Sequence, residues 1–132
     1  MAYRAAICDD CAADAQFVSE ILKAWADERG AEVNAEIYPS AESFLFAYDE
    51  NKAYDMLLLD IEMGGMDGVS MARRVRAGNK TVQIIFITGY SDYIAEGYDV
   101  AALHYLMKPV NREKLFGVLD RAVERLKISQ RC

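Results

Sequence analysis

The stretch "DMLLLD", residues 55–60, is a run of four apolar residues between two aspartates. A strand at the centre of a parallel sheet is covered by helices on both faces, so it is continuously apolar rather than alternating. Gly64, Gly65 and Gly68 follow closely and mark a loop. The stretch therefore predicts a buried central strand that delivers Asp60 to a loop at its carboxyl end.

Strand-length apolar runs alternate with longer amphipathic segments on both sides of this stretch. Strands are predicted at 3–8, 32–38, 55–60, 82–88 and 103–109, and helices at 12–29, from Ser40, from Val69 to Gly78, from about Ser91 to Gly97, and from Asn111. Five β-α units without an internal repeat predict an α/β fold, a doubly wound parallel sheet with helices on both faces. In such a sheet the ligand site lies at the carboxyl ends of the strands.

Length and composition exclude several classes of protein. A chain of 132 residues is most simply one domain. Its net charge of -6 argues against direct binding of nucleic acid or of an anionic membrane surface. No apolar run approaches the roughly 20 residues of a membrane span, and the start does not resemble a signal peptide. Three cysteines fit reduced thiols, and we expect a cytoplasmic location.

Polar side chains follow four of the predicted strands. Asp9 and Asp10 end the first strand, Asp60 the third, Thr88 the fourth and Lys108 the fifth. These residues should meet at one edge of the sheet, where crowded carboxylates repel one another unless a cation neutralises them. Oxygen ligands facing a phosphate suit Mg²⁺. A carboxylate beside such an ion can attack phosphorus, so the set predicts an acyl-phosphate site.

A Cys-x-x-Cys spacing overlaps the paired aspartates and offers an alternative chemistry. A redox pair presents both sulfurs at a helix start, whereas Cys8 falls within the first strand and Cys11 opens the following helix. A zinc site would need two more soft ligands, and Cys132 and His104 are distant in sequence. The aspartates are therefore the favoured carriers of the chemistry.

Four motifs together resemble the receiver domain of bacterial two-component response regulators. They are "DD" at 9–10, "LLLDIEMGGMDG" at 57–68, "IFITGY" at 85–90 and "HYLMKP" at 104–109. The resemblance covers nearly the whole chain, so residues 1–132 are interpreted as a single receiver domain. It implies a flavodoxin-like sheet of five strands in the order 2-1-3-4-5.

The resemblance also implies roles for the residues at the sheet edge. Asp60 would be the phospho-acceptor, and Lys108 would contact the phosphoryl group. Asp10, Asp60 and the main-chain carbonyl of Glu62 would bind Mg²⁺ or Mn²⁺, with Asp9 acting through water. The implied protein is a signalling switch that catalyses only its own phosphorylation and dephosphorylation, and it is not otherwise an enzyme.

A second group of residues is implied to transmit or tune the signal. Thr88 and Tyr105 would form the switch pair, with Tyr105 turning inward when Thr88 moves to bond a phosphoryl oxygen. Glu62 and Tyr90 would flank the phosphoryl group and tune the rates of its addition and loss. Because Gly64 stands where the family commonly has proline after methionine, we expect a more mobile loop.

The resemblance names partners as well. A sensor histidine kinase would donate the phosphoryl group. The stretch "FITGYSDYIAEGYDVAALHYLMKPV", residues 86–110, resembles the LytTR-type branch, in which a DNA-binding domain follows the receiver and controls transcription. DNA would be bound only through such a domain, which residues 1–132 do not contain. Opposite charges on the short helix near 91–97 and on the last helix predict a homodimer formed on phosphorylation.

Two other classes of function stay open from the residues alone. The first is a phosphatase or phosphotransferase that uses an aspartyl-phosphate, although Asp60-Ile61-Glu62 only approximates the pair of acids common in such enzymes. The second is a binding module that keeps the fold but is not phosphorylated. Sustained turnover of phosphate esters would favour the first, and failure to label Asp60 would favour the second.

Overall fold

A computed structural model of the chain describes residues 2–90 and 92–130. Within them strands and helices alternate along the chain. The elements are β1 (Ala2–Cys8), α1 (Ala12–Arg29), β2 (Glu32–Tyr38), α2 (Ala41–Glu50), β3 (Met56–Leu59), α3 (Gly68–Gly78), β4 (Gln83–Thr88), α4 (Ile94–Asp99), β5 (His104–Met107) and α5 (Arg112–Gln130). Ser91, where the short helix was predicted to begin, and the thiol Cys132 lie outside the described residues.

The five strands form one parallel sheet in the order β2-β1-β3-β4-β5, which confirms the predicted topology. Cys8 pairs with Leu59, and Leu59 pairs with Phe86. The strands therefore reach their carboxyl ends at nearly the same level. This register brings the residues that follow β1, β3 and β4 to one edge of the sheet.

Apolar clusters cover both faces of the sheet. Helices α1 and α5 pack on one face, where Trp25 and Leu119 are buried. Helices α2 and α3 pack on the other face around Phe44 and Met71. All four residues of β3 are buried, as expected of a central strand covered on both sides.

Local signals in the sequence set several helix ends. The hydroxyl of Ser40 accepts a hydrogen bond from the backbone N–H of Ser43 at 3.1 Å and so caps α2, the helix predicted to begin there. The carboxylate of Asp67 caps α3 in the same way through Ser70, at 2.7 Å. Gly30 ends α1 in the left-handed conformation, with φ of 64°.

The short helix differs from its prediction. It was expected at about 91–97, but α4 runs from Ile94 to Asp99. The backbone N–H of Gly97 bonds to the carbonyl of Tyr93, as in the first turn of an α-helix, and Asp92 and Tyr93 form a turn before α4. Gly97, the predicted end of this helix, lies inside α4 near the ring of Phe86.

None of the helices in residues 2–90 and 92–130 combines the length and the apolar character that crossing a bilayer requires.

Candidate functional site

Three aspartates converge at the carboxyl edge of the sheet. Carboxylate oxygens of Asp9, Asp10 and Asp60 lie within 4.8 Å of one another. Asp9 and Asp60 are buried, whereas Asp10 is exposed to solvent. The backbone N–H of Asp60 bonds to the carbonyl of Cys8 at 2.8 Å, which continues the pairing of β1 with β3 and fixes the acids side by side. The predicted cluster is therefore present in the fold.

Lys108 supplies a cation to this cluster from the end of β5. Its Nζ donates to Asp9 at 2.8 Å, to Asp14 at 2.8 Å and to Asp60 at 3.0 Å. Its backbone N–H bonds to the carbonyl of Thr88 at 2.8 Å, and the peptide bond from Lys108 to the next residue, a proline, is cis. Burial alone would lower the pKa of Lys108, but its bonds to the three carboxylates outweigh burial and raise it. The ammonium therefore stays charged.

The balance of charge at the site favours a further cation. Burial is the main reason that the pKa of Asp9 is raised, and the neighbouring charge of Asp60 adds to it. Bonds from Lys108 and from the backbone N–H of Cys11 oppose this rise without cancelling it. One lysine does not neutralise all the carboxylates around it, so they still repel one another. A divalent ion between their oxygens would relieve this repulsion.

Thr88 carries a buried hydroxyl at the end of β4. The residue is fully buried, and its Oγ1 has no hydrogen-bond partner among the residues the structure describes. An unpaired buried hydroxyl costs free energy and calls for an explanation, such as a ligand that supplies the missing partner. Thr88 thus lies at the carboxyl end of β4, as predicted, but its role in the switch remains a prediction.

Tyr105 lies on the neighbouring strand β5, where it pairs with Phe86, two residues before Thr88. Its hydroxyl donates a hydrogen bond to the carbonyl of Tyr90, and its ring packs against Phe86 with 5.9 Å between centroids. Gly97 of α4 lies over both rings. The half-buried ring thus lies between β4 and α4, and its role in the switch stays a prediction.

The two residues predicted to tune the rates are on the surface. Glu62 is exposed between Ile61 and Met63, which are both buried, so it projects outward from the loop after Asp60. Tyr90 is 46% exposed. Their effect on rates stays a prediction.

The two cysteines of the overlapping motif are in different environments. Cys8 is buried in β1, where burial, followed by the charge of Asp9, raises the pKa of its thiol strongly. Cys11 is exposed at the start of α1. A protonated thiol inside a strand is a poor nucleophile, which argues against the redox alternative.

Two carboxylates near the site escaped the sequence analysis. Asp14 is in the first turn of α1 and bonds Lys108. Because α1 was predicted to begin at the same sheet edge, an acid in its first turn could have been predicted to lie near the site. Glu42 of α2 accepts a hydrogen bond from the backbone N–H of Met66 at 3.0 Å. No sequence signal links these two positions, which are far apart in the chain.

Comparison with known proteins yields one matching family over most of the chain. The family model described as "Response regulator receiver domain" matches residues 6–120. A solved receiver domain protein (CheY-like) from Methanospirillum hungatei has 28% identity and a TM-score of 0.80, and the match covers 96% of this chain and 98% of that one.

Two curated relatives are longer proteins. The transcriptional regulatory protein RprY of Bacteroides fragilis is 32% identical over 86% of this chain and 48% of its own length. The sensory transduction protein LytT of Bacillus subtilis is 31% identical over 61% of this chain and 34% of its own length. The chain thus spans about half, or less, of the curated relatives that it matches.

Proposed function

The chain belongs to the response regulator receiver domain family, and on that premise we propose that it is a switch that accepts a phosphoryl group on Asp60. One observation carries the proposal. Asp60 is a buried carboxylate with Lys108 at 3.0 Å and two further aspartates beside it. Receiver domains are signalling switches, and we extend this role to the present chain.

Each site residue has its own role in phosphoryl transfer. An oxygen of Asp60 forms the new bond to phosphorus. The bond between phosphorus and the donor's leaving atom breaks, and the leaving group keeps the electron pair. Lys108 stabilises negative charge on the phosphoryl oxygens, and the hydroxyl of Thr88, which has no partner within the described part of the chain, donates to one of them. In the cell the donor would be a phosphohistidine of a sensor histidine kinase.

The acidic cluster fits Mg²⁺ or Mn²⁺. Carboxylates of Asp10 and Asp60 and the main-chain carbonyl of Glu62 would hold the ion, and Asp9 would act through water. The raised pKa of Asp9 and the clustering of the three carboxylates within 4.8 Å support this assignment. When bound, the ion neutralises charge on the transferring phosphoryl group.

The metal assignment is tested by Asp10→Ala. Because Asp10 is the exposed acid of the cluster, removing it takes away a ligand and relieves repulsion without opening the core. Magnesium affinity in a calorimetric titration should fall by roughly tenfold or more, while the unfolding midpoint should not fall. Asp27→Ala, an exposed acid later in α1, is the matched control. Unchanged affinity in Asp10→Ala would remove this residue from the ligand set.

The function itself is tested by mass spectrometry of the intact chain. With acetyl phosphate and Mg²⁺, the wild type and the control Asp49→Asn should gain one phosphoryl group, and Asp60→Asn should gain none. Equal gains in the wild type and Asp60→Asn would refute the assignment. No gain in any variant would indicate a binding module, and continuous release of phosphate would indicate a phosphatase.

The output of the switch is also part of the proposal. We assign residues 1–132 to one receiver domain that is joined, in the full protein, to a DNA-binding domain of the LytTR type. The similarity to LytT supports this branch, and the similarity to RprY supports control of transcription. Phosphorylation would act by favouring a homodimer through α4, β5 and α5.

A further inference from the structure

The loop from Asp60 to α3 carries the predicted carbonyl ligand, Glu62, and lacks the proline that would stiffen it. Gly64 and Gly65 instead adopt left-handed conformations, with φ of 64° and 76°. Successive glycines make this turn accessible, but they also leave the unrestrained chain many other conformations. The loop therefore needs contacts from elsewhere to hold one shape.

The base of the loop is closed by its own backbone. The N–H of Gly68 bonds to the carbonyl of Ile61 at 2.8 Å. A Cβ at position 68 would lie 2.1 Å from the carbonyl oxygen of Asp60, so the first residue of α3 packs directly on the main chain of Asp60. Ile61 and Met63 are buried beneath it. These contacts fix the inner half of the loop.

The outer half is held from another helix. The carboxylate of Glu42, in the first turn of α2, accepts the N–H of Met66 at 3.0 Å. A Cβ at position 65 would lie 2.7 Å from the same carboxylate, so this group lies directly against the glycine turn. The bond from Met66 is also the main reason that the pKa of Glu42 is lowered. An ionised acceptor makes a stronger hydrogen bond than a neutral one.

Helix α2 is a firm support for this contact. Ala41 and Phe44, on either side of Glu42, are fully buried. The ring of Phe44 stacks on Tyr48 with 5.5 Å between centroids, and Ser40 caps the helix. The exposed carboxylate thus extends from a helix whose other face is part of the core.

We propose that Glu42 is a positioning residue that holds the loop after Asp60 in the shape needed to bind the metal ion, an inference that rests on the proposed function of the site. It replaces, through a contact across the fold, the stiffness that proline would provide within the loop. The loop is accordingly less mobile than its glycines alone predict. Glu42 acts through the backbone of Met66 and does not touch the reacting atoms.

Amide exchange measured by NMR on the intact chain without metal tests the contact itself. In Glu42→Ala the amide of Met66 should exchange at least about threefold faster, because its acceptor is gone. Glu42→Gln keeps an oxygen that can accept the bond and should restore most of the slow exchange, since a neutral acceptor makes the weaker bond. Glu50→Ala, which removes an exposed acid at the other end of α2, is the control. Unchanged exchange at Met66 in Glu42→Ala would overturn the proposal.

A magnesium titration of the same samples tests the consequence. Affinity should fall by roughly tenfold in Glu42→Ala, as for the loss of a residue that supports a metal ligand, and should be near that of the wild type in Glu42→Gln. Equal losses in both variants would mean that Glu42 acts by its charge, and no loss in either would mean that the loop needs no support. Both results would overturn the positioning role. A wild type that binds no Mg²⁺ would contradict the proposed function instead, while the exchange at Met66 would still report on the contact.

Discussion

Asp60 owes its environment to its place one residue beyond a buried strand. β3 ends at Leu59, so the carboxylate emerges at the sheet edge while its backbone is still paired with β1. The same rule, applied to each strand end, predicted Asp9, Thr88 and Lys108 from the sequence. It could not find Glu42, because a contact between a helix and a distant loop leaves no periodic or local signal.

Thr88 provides a prediction at the scale of one residue. Its buried hydroxyl has no partner among residues 2–90 and 92–130, so Thr88→Val, which keeps the shape and removes the polar group, should leave the free energy of unfolding unchanged or raise it by up to about 1 kcal/mol. Urea denaturation measures this change. The same variant should lose its response to beryllofluoride, a phosphoryl mimic. Destabilisation by more than about 1 kcal/mol would instead mean that the hydroxyl is satisfied in the resting protein.

At the scale of elements, helix positions were easier to predict than helix ends. α1 was predicted at its observed limits because apolar residues recur at helical spacing and Gly30 ends the run. α4 was misplaced by a few residues because a helix of six residues carries too little periodic signal to fix its ends. Gly97 lies within that helix, where an added Cβ would meet the rings of Tyr105 and Phe86 at 3.7 Å and 3.8 Å.

The contact between α1 and α5 gives a prediction at this scale. Asp120 accepts hydrogen bonds from the indole of Trp25 at 2.9 Å and from the guanidinium of Arg29 at 2.9 Å. In Asp120→Ala the indole N–H of buried Trp25 loses its acceptor, so the free energy of unfolding should fall by about 1 kcal/mol. The half-exposed ion pair with Arg29 should add little. Urea denaturation followed by the fluorescence of Trp25, the single tryptophan, measures the loss, with Glu124→Ala as control.

The ion pair of Asp120 with Arg29 predicts that the free energy of unfolding depends on pH. The bond from Arg29 is the main reason that the pKa of Asp120 is lowered in the folded chain. The stabilisation by this carboxylate is therefore complete above the unfolded-state pKa of about 3.9 and is lost as the pH falls through the lower folded value. The difference between the wild type and Asp120→Ala should shrink below about pH 4. A difference that stays constant as the pH falls through this range would assign the effect to packing.

In the whole molecule, the parallel sheet brings residues that are distant in sequence close together at one edge. The alternation of β and α segments predicted a doubly wound parallel sheet, and the resemblance to receiver domains implied its strand order. The face formed by α4, β5 and α5 carries the exposed apolar side chains Ile94 and Met107. At least one charge of α5 is already paired within the chain, because the guanidinium of Arg112 lies 3.6 Å from the carboxylate of Glu28. Charge alone therefore does not specify a partner for this face.

The face formed by α4, β5 and α5 is predicted to form a homodimer on phosphorylation. Beryllofluoride and Mg²⁺ should increase the dimer fraction of the wild type in sedimentation at about tens of micromolar, because filling the site should favour one arrangement of α4 and β5. Asp60→Asn, treated in the same way, is the control. A wild type that stays as monomeric as Asp60→Asn would mean that the switch signals to a different protein.

The central claim is that Asp60, among four neighbouring aspartates, carries the phosphoryl group. Borohydride reduces an acyl phosphate and so marks the modified position permanently. After treatment with acetyl phosphate and Mg²⁺, reduction with tritiated borohydride and peptide mapping should place the label at position 60. Label at Asp9, Asp10 or Asp14, or no label where an authentic receiver domain is labelled in parallel, would contradict the account.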